Sequence, residues 1–183
     1  PNENPFILEI GSFGANNIRY FWERNYRNIF GIEITDSLVN MTKKYSLEYC
    51  GDSFPVDNIL KGHNLLLPFE DHTFDLIISL NTIHYSIGDD IAKALSLWKS
   101  KLKPSGRLFV QTAGPLHDYV IESTRISTNH WQWGESSGFR GGTPAGFFDD
   151  EEHFLQTLKK YFKHVSVGRV TERSEKNTVD FFS

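Results

Sequence analysis

The stretch Phe6-Ile-Leu-Glu-Ile-Gly-Ser-Phe-Gly-Ala-Asn-Asn17 decides the fold of this chain. An apolar run ends there in a glycine turn, and a helical pattern starts directly after the turn. A second apolar run, 29–34, follows and carries Glu33 near its end. Such a turn presents backbone N–H groups, and a carboxylate at the end of the second strand can accept ribose hydroxyls. The stretch therefore predicts half of a nucleotide site and an adenosine-containing cofactor.

Length and charge exclude several classes of protein. The chain has 183 residues, of which 23 are acidic and 19 basic, for a net charge of −4. This length suits one α/β domain, and we expect 1–183 to be a single domain. The basic residues are scattered over predicted helix faces and form no stripe, so we expect no nucleic-acid partner.

Cysteine usage and hydropathy indicate the compartment. Cys50 is the only cysteine, which excludes an internal disulfide and a cysteine-based metal site and favours a reducing, cytoplasmic location. No apolar run reaches the roughly 20 residues that cross a bilayer, so no membrane partner is expected. The chain begins without Met and almost on its first strand, so we expect it to be part of a longer protein that has a further N-terminal segment.

Apolar periodicity predicts alternating strands and helices. Helices are predicted at 16–23, at 36–49 with Asp36 as N-cap, at 89–102 and at 149–162. Strands are predicted at 5–10, 28–34, 58–61, 73–80, 107–112, 164–170 and 178–182. Alternation of this kind implies a parallel sheet. The last two predicted strands are joined by a short polar segment, 171–177, and should form an antiparallel hairpin. Segment 113–148 mixes aromatic residues with glycine and has weak periodicity, which favours an elaborated lid over a substrate pocket.

The glycine spacing discriminates between cofactors. A nicotinamide site needs Gly-x-Gly-x-x-Gly after the first strand, and Gly11 and Gly14 do not supply that spacing. The turn resembles instead that of class I S-adenosylmethionine-dependent methyltransferases, whose first motif reads acidic-x-Gly-x-Gly-x-Gly. Glu9, Gly11 and Ala15 match or nearly match it, and Phe13 replaces the middle glycine. We expect the Phe13 side chain to point away from the cofactor, or Gly14 to take the tight position of a reshaped turn.

Further motifs of the same family follow in order over residues 5–112. Glu33 matches the family's ribose-binding acid. Gly62-His-Asn-Leu-Leu-Leu-Pro-Phe69 is similar to the family's Gly-Asp-x-x-x-Leu-Pro-Phe run, with His63 in place of the acid. Ser79 to Tyr85 resembles its Ser-x(4)-His-aromatic segment. Leu102-Lys-Pro-Ser-Gly-Arg-Leu108 resembles its Leu-x-Pro-Gly-Gly-x-Leu turn.

The resemblance implies a fold, a cofactor and its binding residues. The fold would be α/β, a Rossmann-like doubly wound seven-stranded sheet, mostly parallel with a C-terminal antiparallel β-hairpin. The cofactor would be S-adenosyl-L-methionine, with no metal. The residues expected to bind it are Glu9, Gly11, Ser12, Phe13, Gly14, Glu33, Ile34, His63, Asn64, Leu65, Ser79 and Leu80.

Candidates for catalysis and substrate binding lie at and after the fourth strand. His84 is the first candidate for a general base, because ligands bind at the carboxyl edge of open α/β sheets, and His117 is the second. A structural role for either histidine is an open alternative. The residues expected to line the acceptor site are Asn81, Tyr85, Trp131, Trp133 and Arg140.

The acceptor is predicted by elimination. Family members that methylate DNA bases carry Asn/Asp-Pro-Pro-aromatic after the fourth strand, and Asn81-Thr-Ile-His84 lacks both prolines. A small-molecule acceptor, methylated on oxygen or nitrogen, is therefore favoured. The alternative is a non-catalytic binding or interaction module, in which Phe13 and His63 mark a degraded cofactor pocket. A nicotinamide-dependent reductase is disfavoured by the glycine spacing.

Overall fold

A computed structural model describes residues 4–174 and 178–183, apart from the side chains of Ser136, Ser137 and Phe139. The strands are β1 (Ile7–Ile10), β2 (Ile29–Glu33), β3 (Ile59–Lys61), β4 (Phe74–Leu80), β5 (Leu102–Ala113), β6 (Thr124–Ser127), β7 (His130–Gln132), β8 (Pro144–Ala145), β9 (Arg169–Arg173) and β10 (Thr178–Phe182). The helices are α1 (Asn16–Trp22), α2 (Asp36–Cys50), α3 (Asp89–Lys101), α4 (Asp118–Ile121) and α5 (Glu151–Lys159). Short 3-10 turns lie at Val56–Asn58, Ile83–Tyr85 and Glu135–Arg140.

Seven strands form one sheet in the order β3-β2-β1-β4-β5-β10-β9. β1 runs parallel to both β2 and β4, and β2 runs parallel to β3. β10 is antiparallel to both β5 and β9. The predicted α/β fold is thus confirmed, with a seven-stranded, mostly parallel sheet and an antiparallel C-terminal strand pair. Strands β6, β7 and β8 form a separate antiparallel sheet.

The chain divides into two compact units. The first comprises residues 1–79 and 100–109, and the second comprises 80–99 and 110–183. In the first unit an apolar core joins β2 and β3 to α1 and α2 through Ile18, Ile29, Val39 and Ile59. Burial of such side chains is the main force that holds the helices on the strands.

The second unit has an aromatic core of its own. Trp133 and Phe147 pack with Ala113, Val120 and Ala145. These residues come from the segment 113–148 that the sequence predicts to be a lid, and that segment contains α4, the three-stranded sheet and the 3-10 turn Glu135–Arg140. Among the described helices, none has the length and apolar character needed to span a membrane.

Three element boundaries were predicted wrongly. The N-cap of α2 is Thr35, whose extended backbone lets its hydroxyl accept from the N–H of Leu38, rather than Asp36. The helix predicted to reach residue 102 ends at Lys101, and β5 begins at once, well before the predicted residue 107.

The ninth strand is also shifted from its predicted place. It occupies Arg169–Arg173 rather than 164–170, because its register is set by antiparallel pairing with β10. Part of the predicted polar connection therefore belongs to the strand, and residues 175–177 of that connection lie outside the described residues.

Candidate functional site

The first unit gathers most of the predicted cofactor residues at one edge of its strands. β1, β2 and β3 are parallel, with Ile10 opposite Ile32 and Glu33 opposite Lys61, so their carboxyl ends meet at the same edge. Ser79 of β4 lies opposite Ile10 at that edge. Ligands of open α/β sheets bind at such carboxyl ends.

The turn after β1 is built around left-handed backbone conformations. Gly11 and Gly14 have φ of 79° and 82°, a region that favours glycine, and Ala15, the N-cap of α1, has φ of 51°. The Gly11 N–H donates to the carbonyl oxygen of Ile32 at 2.9 Å, which joins the turn to β2. The Ser12 side chain is buried, and its Oγ has no hydrogen-bond partner among the described residues.

Phe13 is accommodated by pointing its ring away from the turn. The ring is 55% exposed and packs edge-to-face on Tyr45 of α2, with the ring centroids 6.4 Å apart. Gly14 adopts the left-handed conformation beside it. The backbone of the turn therefore has Gly14 in the left-handed position, as in the reshaped turn that the sequence predicts. The N–H of Phe13 donates to the carboxylate of Glu33.

Glu9 lies under the turn as a buried acid. Its Oε1 accepts a 2.6 Å hydrogen bond from Nδ2 of Asn17, while its Oε2 is buried without a partner among the described residues. Burial raises the pKa of Glu9 to about 7, the Asn17 hydrogen bond opposes that rise, and the nearby charge of Glu33 adds to it. A substantial fraction of the Glu9 side chain is therefore protonated at neutral pH.

Glu33 ends β2 and is also buried. Burial raises the pKa of its carboxyl, and hydrogen bonds from the backbone N–H groups of Phe13 and Ile34 oppose that rise. Its Oε1 is buried and has no partner within the described chain. A buried acceptor of this kind is costly unless a donor reaches it. Ile34 itself is exposed next to this carboxylate.

The third part of this edge is the turn after β3. His63 and Leu66 exchange backbone hydrogen bonds of 3.0 and 2.8 Å, which close the turn. Nδ1 of His63 accepts from the N–H of Leu65 at 3.2 Å, so this histidine stabilises the turn. Asn64 is buried within it.

The second unit begins with Leu80, the last residue of β4, and Asn81 directly after it. Asn81 has a left-handed φ of 54°, and its N–H donates to the carbonyl oxygen of Gln111 at 2.9 Å. Its side-chain Oδ1 is buried without a partner in the part of the chain that the structure describes. The turn thus holds a polar acceptor atom at the end of β4.

His84 lies in an aromatic environment. It is 4% exposed, and the rings of Tyr85, Trp133 and Phe147 have centroids 4.8, 5.6 and 5.8 Å from its own. Burial lowers the pKa of His84 to about 3, and the positive charge of Arg140 contributes in the same direction. The imidazole is therefore neutral near pH 7, and its Nδ1 has no hydrogen-bond partner among the described residues.

His117 serves as the N-cap of α4. Its Nδ1 accepts from the N–H of Tyr119 at 3.2 Å. A neutral imidazole with an accepting Nδ1 carries its proton on Nε2. Burial lowers the pKa of His117, and the charges of Asp118 and Asp180 oppose that shift. In this geometry His117 stabilises the start of α4, and its role as the second candidate base stays a prediction.

The predicted substrate residues of this unit meet around Arg140. Nε of Arg140 donates to the Tyr85 hydroxyl at 2.7 Å, and its guanidinium also lies over Trp133. Trp131 stands apart from this contact in β7, where it packs on Phe147 with the ring centroids 6.0 Å apart. Within residues 4–174 and 178–183, no three His, Cys, Asp or Glu side chains come together as a metal site.

Comparison with known families decides the class of protein. The family model described as "Methyltransferase domain" matches residues 8–110, more than half of the chain. The chain belongs to the class I S-adenosylmethionine-dependent methyltransferase family. A comparison with curated protein sequences found no match.

Solved structures share the fold of this methyltransferase-family chain. An S-adenosylmethionine-dependent methyltransferase from Methanosarcina mazei is 14% identical with a TM-score of 0.71, over 100% of this chain and 92% of that one. The PH0226 protein from Pyrococcus horikoshii is 14% identical with a TM-score of 0.69, over 98% of this chain and 82% of that one. The [4+2]-cyclase SpnF is 17% identical with a TM-score of 0.65, over 91% of this chain but 55% of that one.

Sequence reasoning missed several residues that contact the predicted site residues. Asn17 and Tyr45 support Glu9 and Phe13 from the helices that follow the first two strands. Tyr119 and Phe147 complete the aromatic cluster of the second unit. Their aromatic side chains could have marked them as candidates, but only the tertiary structure shows that they contact Trp133.

Proposed function

We propose that this chain transfers a methyl group from S-adenosyl-L-methionine to an oxygen or nitrogen atom of a small-molecule acceptor, in the cytoplasm. The observation that carries the proposal is Glu33. It ends β2 beside the glycine turn, and its buried Oε1 has no donor among the described residues. A ribose hydroxyl would supply that donor, and the family of the chain uses a cofactor that has one.

The residues of the first unit fit an adenosyl cofactor. The left-handed turn at Gly11 and Gly14 leaves no side chain on its two tightest positions, and Phe13 keeps its ring on Tyr45. Bound S-adenosylmethionine would supply an activated, positively charged methyl donor. The residues we assign to its binding are Glu9, Gly11, Ser12, Phe13, Gly14, Glu33, Ile34, His63, Asn64, Leu65, Ser79 and Leu80.

The second unit supplies the acceptor-binding residues of the proposal. Tyr85, Trp133 and Arg140 form a polar and aromatic surface suited to a small organic molecule. We assign Asn81 and Trp131 to the rim of the same acceptor site, because Oδ1 of Asn81 and Nε1 of Trp131 are buried and have no hydrogen-bond partner among the residues that the structure describes.

We assign His84 the role of accepting a hydrogen bond from the acceptor molecule. Within the described part of the chain, Nδ1 of its neutral imidazole has no hydrogen-bond partner, but a pKa of about 3 makes it a weak base. Orientation of an already nucleophilic acceptor is therefore the function we expect of it, since methyl transfer needs a base only when the attacking atom carries a proton.

Isothermal titration with S-adenosylmethionine and with its demethylated product tests the cofactor assignment. We expect both to bind, and Glu33→Gln to weaken binding by about tenfold or more, because a charged acceptor is lost. Asp36→Asn is the matched control, since Asp36 is an exposed acid three residues further on. Release of the demethylated product in the presence of amine and hydroxyl acceptors then tests the transfer.

Absence of binding at millimolar cofactor would contradict the proposal. It would support instead the alternative of a non-catalytic binding module. The observation that favours this alternative is Phe13, which replaces the middle glycine of the family's first motif. Equal affinities of the wild type and Glu33→Gln would contradict the ribose assignment while leaving cofactor binding intact.

A further inference from the structure

Three aromatic rings of the second unit surround one cation of the same chain. The guanidinium carbon of Arg140 lies 5.9 Å from the ring centroid of Tyr85, 5.9 Å from that of Tyr119 and 5.6 Å from that of Trp133. All three distances fall within the roughly 6 Å over which a cation is attracted by the electron-rich face of a ring. A single surface arginine over one ring would be unremarkable, and three rings around one cation form a cage.

The cage has a buried floor and exposed walls. Trp133 is 2% exposed and supplies the floor, while Tyr85 and Tyr119 are 46% and 40% exposed and supply the walls. The Tyr119 ring stands at 70° to that of Trp133 with their centroids 5.4 Å apart, so the two rings form a corner. The rings of Phe147 and His84 pack edge-to-face against Trp133 and hold its side chain in position.

We propose that this cage is a binding site for an alkylammonium group of the methyl acceptor, and that Arg140 occupies it in the absence of that ligand. The proposal rests on the proposed function for its link to methyl transfer, but the cage itself lies wholly within the second unit. A methylated or alkylated ammonium presents the same charge and a similar apolar surface to the rings as the guanidinium does. It would bind by displacing Arg140.

One feature favours a cation over an anion as the ligand. The guanidinium is engaged through its Nε by the Tyr85 hydroxyl and through its face by the rings, so its charge is stabilised without a carboxylate from a ligand. The ligand would displace the Arg140 side chain and not its backbone, because the Thr143 N–H and hydroxyl both donate to the carbonyl oxygen of Arg140.

Titration with tetramethylammonium, in the absence of cofactor, tests the cage directly. A ligand can bind only to the fraction of molecules in which Arg140 has left the rings, so its apparent affinity is the intrinsic affinity multiplied by that fraction. Arg140→Ala should therefore bind tetramethylammonium about tenfold more tightly than the wild type. Arg140→Gln should behave as Arg140→Ala does, whereas Arg140→Lys retains a cation and should stay close to the wild type. Adding Tyr119→Leu to Arg140→Ala should abolish the gain, since a wall is lost.

Arg125→Ala is the matched control. Arg125 lies on strand β6, and its guanidinium pairs with Asp149, so its removal should leave the affinity unchanged. Equal tetramethylammonium affinities of the wild type and both neutral Arg140 variants, or no binding to any of them, would overturn the proposal. Binding of benzoate to the wild type that Arg140→Gln abolishes would also overturn it, by showing that Arg140 is an anion receptor. The same variants are also titrated with S-adenosylmethionine. Cofactor binding that persists while the tetramethylammonium test fails would overturn the cage proposal alone and leave the proposed function intact.

Discussion

Nδ2 of Asn17 donates a 2.6 Å hydrogen bond to Oε1 of Glu9, and this bond joins the first helix to the strand that precedes it. It satisfies one carboxyl oxygen of Glu9 and leaves the other buried without a partner among the described residues. The acid is therefore held in place and kept at a raised pKa of about 7. Its protonation has a measurable effect on the stability of the fold.

Glu9→Gln should flatten the pH dependence of unfolding. A carboxyl whose pKa is raised on folding binds more protons in the native state, so the free energy of unfolding falls as pH rises between about 4.5 and about 7. The full effect of such a shift is about 3 kcal/mol. Urea unfolding at pH 5 and pH 8 should show a smaller loss of stability for the variant than for the wild type. The same slopes for Glu9→Gln and wild type would exclude the raised pKa, and Glu48→Gln, on the exposed face of α2, should leave the slope unchanged.

His84→Gln should protect the protein against acid. The native-state pKa of His84 is lowered to about 3 from an ordinary value of 6.5, so the unfolded chain binds the extra proton between these values. Wild-type stability should therefore fall as pH drops below 6.5, by about 2 kcal/mol near pH 5. The variant should lose less stability between pH 7.5 and pH 5, measured by urea unfolding. His164→Gln, at an exposed position, is the control, and a variant as acid-sensitive as the wild type would refute the prediction.

Gly14→Ala should weaken cofactor binding, while Phe13→Ala should not. A side chain at φ 82° costs roughly 1–2 kcal/mol and pushes the turn towards another conformation. The ring of Phe13 lies on Tyr45, so its removal costs about 0.5–1.5 kcal/mol of stability but leaves the backbone of the turn in place. Titration with S-adenosylmethionine should show at least a tenfold loss for Gly14→Ala and less than about a twofold change for Phe13→Ala. The reverse order of the two affinities would contradict the assignment of the turn.

Gly146→Ala should destabilise the second unit severely. A Cβ built on Gly146 would overlap the carbonyl oxygen of Ser86, and the Gly146 N–H donates to the carbonyl oxygen of His84 at 2.8 Å. The backbone must therefore move, at a cost of about 3 kcal/mol or more. Thermal unfolding should register the loss. Gly168→Ala, whose Cβ would meet Ser183 at an ordinary 3.6 Å, should be close to neutral, and equal melting temperatures for the two variants would contradict the prediction.

Local patterns in the sequence predicted most of the first unit. Short apolar runs such as Ile7–Ile10 and Ile29–Glu33 are buried strands, and their burial is visible in composition alone. Glu33 was found because an acid near the end of an apolar run is conspicuous, and Glu9 was found through the resemblance of the turn to the family's first motif. Their raised pKa values were not predictable, because these depend on burial by residues distant in sequence.

The second unit depends on contacts that local patterns do not contain. The sequence predicted a strand at 164–170, but the strand forms at Arg169–Arg173. There Arg169 and Thr171 both donate to Asp180 of the paired strand. The aromatic cage is similar in kind, because Tyr85, Tyr119 and Trp133 come from three separate segments. Nothing in their spacing along the chain indicates that they meet.

The division of the chain into two units has a consequence for synthesis. Every residue of the first unit lies at or before Phe109, whereas the second unit includes β10, which is made after all the other described strands. The carboxylate of Asp180 in that strand accepts hydrogen bonds from Nε and Nη2 of Arg169 and from the N–H of Leu116, next to His117. The residues of the first unit therefore leave the ribosome before the second unit is complete. Because domains form in the order in which they emerge, the nascent chain would form the glycine turn and bury Glu9 and Glu33 before Asp180 pairs with Arg169.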